Sequence, residues 1–219
     1  MSDLVLRKEI IAAANAMSQS GLSPGKSGNV SARNAAGHIL ITPTGVPYAD
    51  LKPRDIVAVD INGAQLAGSL LPSSEWHFHV AIYRASPDVG AVVHTHSLHA
   101  TALACANREI PAFHYMVAVA GGNTIRCAPY ATFGTGALAE YAVAALAGRK
   151  ACLLANHGQI ALGETPAKAL AMAQEVETLA SQYVAALQIG APVLLDDAEM
   201  RRVLEKFKTY GQPGRAATP

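Results

Sequence analysis

The sequence has no surplus of charge of either sign: 17 Lys and Arg stand against 16 Asp and Glu, a formal net charge of +1. A protein that neutralises nucleic-acid phosphates needs a basic excess, so no such partner is expected. Charged residues make up only 15% of the chain while hydrophobic ones reach 51%, the reverse of the composition that keeps a chain disordered. Long apolar runs are also missing. None approaches the roughly 20 residues of a membrane span, and the charged start Met-Ser-Asp-Leu-Val-Leu-Arg-Lys-Glu lacks the apolar stretch of a secretion signal. The expectation is a cytoplasmic protein with no membrane partner. Cysteine is scarce: Cys105, Cys127 and Cys152 are odd in number and share no paired motif. Buried free thiols are therefore expected rather than a disulfide, and any metal must be held by His and carboxylate. Repeats and linkers are lacking too, so 1–219 reads as one domain with a fraying tail over 211–219.

What is present centres on Ala91-Val-Val-His94-Thr-His96, an apolar run ending in two histidines. In an extended segment side chains alternate, which sets both imidazoles on one face with alpha-carbons about 6.5–7 Å apart. Such a pair can share a metal ion, or it can be two ordinary histidines at a strand end. A second apolar strand, Ala151–Ala155, ends in Asn156-His157-Gly158. Three nitrogens from two strand ends, with room left for a carboxylate or substrate, match a catalytic zinc site. A further His-x-His, His77 and His79, lies within Trp76–Arg84, which fits a helix. Residues two apart on a helix point about 200° away from each other, so this pair is rejected as ligands and His77 is expected on the surface.

Gly25-Lys26-Ser27-Gly28-Asn29 forms a glycine-rich turn before the strand Val30–Arg33. Glycines let backbone N–H groups approach an anion, although a turn that simply needs Gly explains them as well. The strand His38–Thr42 runs into a similar turn at Pro43-Thr44-Gly45, and Ile56–Asp60 with Gln65–Gly68 reads as a hairpin about Asn62-Gly63. Pro72-Ser73-Ser74-Glu75 opens the helix, with Ser73 or Ser74 as its cap or as phosphate donors. Further helices are expected from Leu4 to Met17, over Thr101–Cys105, Leu138–Leu146, Thr165–Gln188 and Asp196–Tyr210, with a strand over Thr124–Ala128. The core face of the long helix is Leu170, Val176, Leu179, Tyr183 and Leu187. His114-Tyr115-Met116 is too irregular to assign.

Taken together, Gly25-x-x-Gly28-Asn29-Val-Ser, Thr42-Pro-Thr-Gly45, Pro72-Ser-Ser-Glu75, Val93-His-x-His96, Pro129-Tyr-Ala-Thr-Phe-Gly134 and Asn156-His-Gly158 resemble the class II aldolase/adducin family. The branch most similar is the one that cleaves L-fuculose 1-phosphate, and the likeness covers nearly the whole chain. It implies a single α/β domain with a central, mostly antiparallel sheet flanked by helices, assembled as a homotetramer with sites between subunits. By the same resemblance His94, His96 and His157 bind one zinc ion per chain, and Glu75 is the acid/base residue that also touches the metal when the site is empty of substrate. Phosphate would be held by Gly28, Asn29, Thr44, Gly45, Ser73 and Ser74. Tyr115, reaching into a neighbouring subunit, would serve the aldehyde oxygen, and Phe133, Phe207 and Tyr210 would lie near the aldehyde end.

The expected reaction is cleavage of a ketose 1-phosphate, either L-fuculose 1-phosphate or a 5-deoxy or 5-methylthio pentulose 1-phosphate, to dihydroxyacetone phosphate and an aldehyde. Breaking the carbon–carbon bond leaves an enediolate whose charge needs an iminium on lysine or a metal. Lys26 is the only lysine in a candidate site turn, beside the phosphate donors, which favours the metal. Lys26 also departs from the small hydroxyl residue common at this place in the family. A pentulose-phosphate 4-epimerase shares the fold but typically has Asp where Glu75 stands, and a non-catalytic scaffold would have lost metal ligands that this chain keeps.

Overall fold

The computed structural model describes residues 2–209. Helix α1 (Asp3–Gln19) buries Leu6, Ile10, Ala13, Ala14 and Met17, the stripe that a 3.6-residue period predicts. Strands β1 (Asn29–Arg33), β2 (Ile39–Ile41), β3 (Val57–Val59) and β4 (Gln65–Ala67) follow, then α2 (Trp76–Ala85), β5 (Ala91–Thr95) and α3 (Leu98–Cys105). A 3-10 helix over Tyr115–Ala120 fills the stretch that local pattern leaves unassigned. The chain continues through β6 (Cys127–Ala128), α4 (Gly136–Leu146), β7 (Ala151–Leu154), β8 (Gly158–Gly163), α5 (Pro166–Ile189) and α6 (Asp197–Lys208).

The strands form one sheet in the order β4-β3-β2-β1-β5-β8-β7-β6. Every pairing is antiparallel except β6 with β7. β5 is central, and alternate residues serve different layers. Ala91 and Val93 pack toward α1 and α5, whereas Val92 packs with Phe78 and Tyr83 of α2 and Leu138 and Ala142 of α4. A third cluster joins α3, α5, α6 and the 3-10 helix around Val117, Leu153, Leu179 and Met200. Because both sheet faces are covered, the central strands are mostly apolar, and the polar side chains placed there, Asn29, Ser31, His94, Thr95 and Gln159, are buried and need partners.

Several expectations need correction. Glu75, not Ser73 or Ser74, is the N-cap of α2, and Ser73 instead accepts the Glu75 N–H at 3.3 Å. His77 is half-buried, because its ring stacks on Trp76 with centroids 3.9 Å apart. The cysteines are all free, but only Cys152 is buried; Cys105 closes α3 at its solvent end. The strand expected over Thr124–Ala128 shortens to two residues because only Cys127 and Ala128 meet β7. Tyr183 and Leu187 are half-buried, and the small Ala169, Ala173 and Ala180 carry much of the α5 core face. Tyr210 and 211–219 lie outside the described residues.

Candidate active site

Strand register brings the site together. β1 sets Asn29 opposite His94, and β8 sets Gln159 opposite Thr95. His94 follows Val92 onto the α2 side of the sheet, and His96, one residue beyond the strand, returns to that side. Their ring centroids are 4.8 Å apart and the two Nε2 atoms 2.9 Å. His157 comes from the β7–β8 turn, where Asn156 takes a positive φ of 56°, a conformation Asn tolerates better than most residues. That turn aims His157 back at β5, so its ring lies 4.8 Å from His94 and 5.0 Å from His96. Glu75 arrives just before α2, with Oε2 3.2 Å from His94 Nε2 and Oε1 3.0 Å from His157 Nε2.

Beside these four residues opens a cavity of about 360 Å³. The turn around Gly28 and Asn29, the turn at Thr44 and Gly45, and Ser73 with Ser74 form one wall. His96, His157 and Glu75 form another, and Tyr130, Ala131 and Phe133 a third. His94 is fully buried behind them. Gly28 cannot be another residue cheaply: its φ is +87°, and a Cβ there would stand 2.6 Å from the His94 carbonyl oxygen. Tyr115 and Phe207 do not line this cavity; their rings stack on each other, 6.4 Å between centroids, and half of Tyr115 faces solvent.

Lys26, expected beside the phosphate donors, lines the cavity. Two contributors carry no signal in the sequence. Tyr130 reaches the cavity wall. Buried Tyr48 donates its hydroxyl proton to the Gly28 carbonyl at 2.6 Å and pins the first glycine turn. Burial, and secondarily the Glu75 charge, push the Tyr48 hydroxyl pKa up, so it stays a donor. No local pattern marks Tyr48, because the turn it holds lies about 20 residues earlier in the chain.

The model of the Class II Aldolase and Adducin N-terminal domain matches residues 8–184. The chain is 54% identical over 218 residues to the 5-methylthioribulose-1-phosphate/5-deoxyribulose-1-phosphate aldolase of Rhodospirillum rubrum, covering 100% of this chain and 98% of that one. It is 53% identical over 207 residues to the L-fuculose phosphate aldolase of Escherichia coli K12, covering 94% and 95%. Among solved structures it is similar to an L-fuculose 1-phosphate aldolase, with a TM-score of 0.91, 41% identity and coverage of 95% and 98%. The chain belongs to the class II aldolase and adducin family.

As a class II aldolase, of the type that the two named relatives represent, it belongs to a metal-dependent group of enzymes, and its four clustered residues suit a cation. Candidate ligand atoms of Glu75, His94, His96 and His157 all lie within 4.8 Å of one another. His94 Nδ1 lies 2.9 Å from the Gln159 carbonyl oxygen, which can only accept, so the ring proton sits there and Nε2 turns a lone pair inward. Glu75 Oε1 is buried without a hydrogen bond. Lone pairs thus outnumber protons at one point, the chemistry of a cation site. Burial, reinforced by His94 and His157, pushes the His96 pKa down to about 4 and leaves it neutral at physiological pH. Among the described residues, no helix is long and apolar enough to cross a membrane.

Proposed function

We propose that this aldolase cleaves a ketose 1-phosphate to dihydroxyacetone phosphate and an aldehyde, using one zinc ion that His94, His96, His157 and Glu75 would hold. The observation that carries this reading is the cavity itself, with His96, His157 and Glu75 at one wall, His94 buried directly behind them, and glycine turns and serines at another wall. A bound zinc supplies Lewis-acid stabilisation of the negative charge that develops as the carbon–carbon bond breaks. Gly28 and Gly45 allow backbone amides to reach the phosphate, and Thr44, Ser73 and Ser74 add hydroxyl donors. Charge-assisted bonds of this kind contribute on the order of 1.5–3 kcal/mol each, so phosphate dominates recognition.

Glu75 is the proton shuttle: ionised at rest, it takes up the proton that the substrate hydroxyl gives off as the carbon–carbon bond breaks and passes it to the enediolate carbon to form a hydroxymethyl group, and its place on the cavity wall suits that role. Tyr115 handles the proton of the aldehyde oxygen in a neighbouring subunit, a role supported by its exposure and its absence from the cavity of its own chain. Phe133 lines the cavity and meets the aldehyde end, to which the family resemblance also assigns Phe207 and Tyr210. An apolar wall separates substrates by a methyl group only weakly, about 1–3 kcal/mol, so fuculose, 5-deoxyribulose and 5-methylthioribulose 1-phosphates are all expected to react.

The test is metal analysis together with cleavage rates for these three esters and unphosphorylated fuculose. Zinc near one equivalent and rates that collapse without the phosphate are expected. Equal cleavage of free fuculose and its 1-phosphate would remove the two glycine turns and the serines from phosphate binding. For the shared site, co-assembled Tyr115→Phe and Glu75→Gln chains should regain activity that neither parent has; no gain places Tyr115 outside the neighbour's site.

A further inference from the structure

Beneath the carboxylate at the cavity wall runs a line of buried polar side chains. Asn29 Nδ2 donates to Glu75 Oε2 at 3.0 Å. Asn29 Oδ1 is bonded to Nε2 of His79, whose Nδ1 lies 2.7 Å from Ser31 Oγ, and that oxygen lies 2.9 Å from the Tyr83 hydroxyl. His79 and Ser31 are 0% exposed and Tyr83 is 1%. Asn29 and Ser31 share one face of β1 at the strand period of two. His79 and Tyr83 share one face of α2 at a spacing of four, so the two elements interlock.

The direction of every bond follows from the end that faces the cavity. An ionised carboxylate only accepts, so the Asn29 amide must turn its NH₂ to Glu75; flipped, two oxygens would face each other at 3.0 Å. Asn29 Oδ1 then requires a donor, which puts the His79 ring proton on Nε2. His79 Nδ1 is left with a lone pair, which takes the Ser31 hydroxyl proton, and the Ser31 oxygen takes the Tyr83 proton. All four donors point toward Glu75. Reversing any one of them leaves a buried acceptor facing an acceptor, at the cost of an unsatisfied buried group.

We propose that His79 is a positioning residue for this aldolase. Through the Asn29 amide, its Nε2–H holds the Glu75 carboxylate at the cavity wall, and Ser31 and Tyr83 lock the tautomer that does so. The role in turnover rests on the reading of Glu75 as the proton-carrying group. It also divides the uses of Asn29: one amide hydrogen and the carbonyl oxygen serve Glu75 and His79, and the second hydrogen remains for substrate.

The experiment compares zinc-loaded wild type with His79→Leu and His79→Gln on the ketose 1-phosphate that the wild type cleaves best. Removing an outer partner of this kind costs about 10- to 100-fold. That loss is expected in kcat for His79→Leu, with bound zinc and KM within about twofold of wild type. A glutamine amide can present N–H where Nε2 stood, so His79→Gln should recover most of the lost rate. Ser31→Ala should fall between, and Tyr83→Phe should change least. A folded His79→Leu with unchanged kcat, or a His79→Gln variant no faster than His79→Leu, overturns the proposal. Because His79→Leu removes a fully buried ring, the wild-type tautomer gives a second reading that needs no variant and no substrate. Nitrogen-15 spectra of the His79 ring should show the proton on Nε2, and a proton on Nδ1 overturns the relay. Failure of the aldolase reading would show differently, as a wild type that cleaves none of the esters.

Discussion

The chain carries His-x-His twice, and the two copies meet opposite fates. On β5, His94 and His96 end with Nε2 atoms 2.9 Å apart. On α2, His77 stacks on Trp76, while His79 turns into the sheet to meet Ser31 and Asn29. The side chains and the spacing are identical; the backbone period differs. A step of two returns a strand to the same face and carries a helix to the opposite one. Spacing therefore implies shared ligation only once the backbone is known. The helical copy still contributes, because its buried member ends up bracing the carboxylate that stands among the strand pair's imidazoles.

The strand pair is the more sensitive of the two to substitution. His96→Ala should lose bound metal and reduce turnover to background together, measured by metal analysis and the cleavage assay on the same preparation. Full metal occupancy would remove His96 from the ligand set. Glu75→Gln comes next: it keeps phosphate binding, while loss of an acid/base group lowers turnover by about two to three orders of magnitude. Near-normal rates in a folded, zinc-loaded variant would exclude Glu75 as the proton carrier.

A smaller effect is expected where the strand pair hands over to α3. Glu177 of α5 accepts the His99 and Ala100 N–H groups, each at 2.9 Å, and so caps a helix whose own N-cap, Ser97, makes no side-chain cap bond. Burial raises the Glu177 pKa, but these bonds outweigh burial and lower it. A depressed carboxylate pKa stabilises the fold above the unfolded value of about 4.3, and the contribution is lost as pH falls through the folded value. Glu177→Gln should cost about 1–2 kcal/mol at neutral pH, read from denaturant midpoints. The gap to wild type should close in acid, and a gap that widens there would reverse the assignment. The smallest effect belongs to the other helical histidine. His77→Ala should leave zinc content and turnover unchanged and shift stability by no more than about 1 kcal/mol. Loss of metal in that variant would mean that the helical pair does share in ligation.

The local elements, and the chemistry that each end of an element carries, are legible from residues close together in the chain. Apolar periodicity marked the helices, Asn62-Gly63 marked a hairpin, and alternation set His94 and His96 on one face, because these depend on residues a few positions apart. The recurrence of a histidine at a second apolar strand end suggested a third ligand. The family resemblance supplied the grouping of the glycine turns with Ser73 and Ser74 about one cavity.

Packing between distant elements settled the rest. Strand order placed β1 and β8 on either side of β5, which sets Asn29 against His94 and delivers His157 to the same point. Asn29 reads in sequence as an anion donor, yet its amide is bonded to Glu75 and His79, 46 and 50 residues away. Ser31, Tyr48 and Tyr83 carry no local signal at all. Their partners lie in other elements, and a hydrogen bond between groups so far apart along the chain is specified by how the sheet and helices pack, not by the spacing of neighbours.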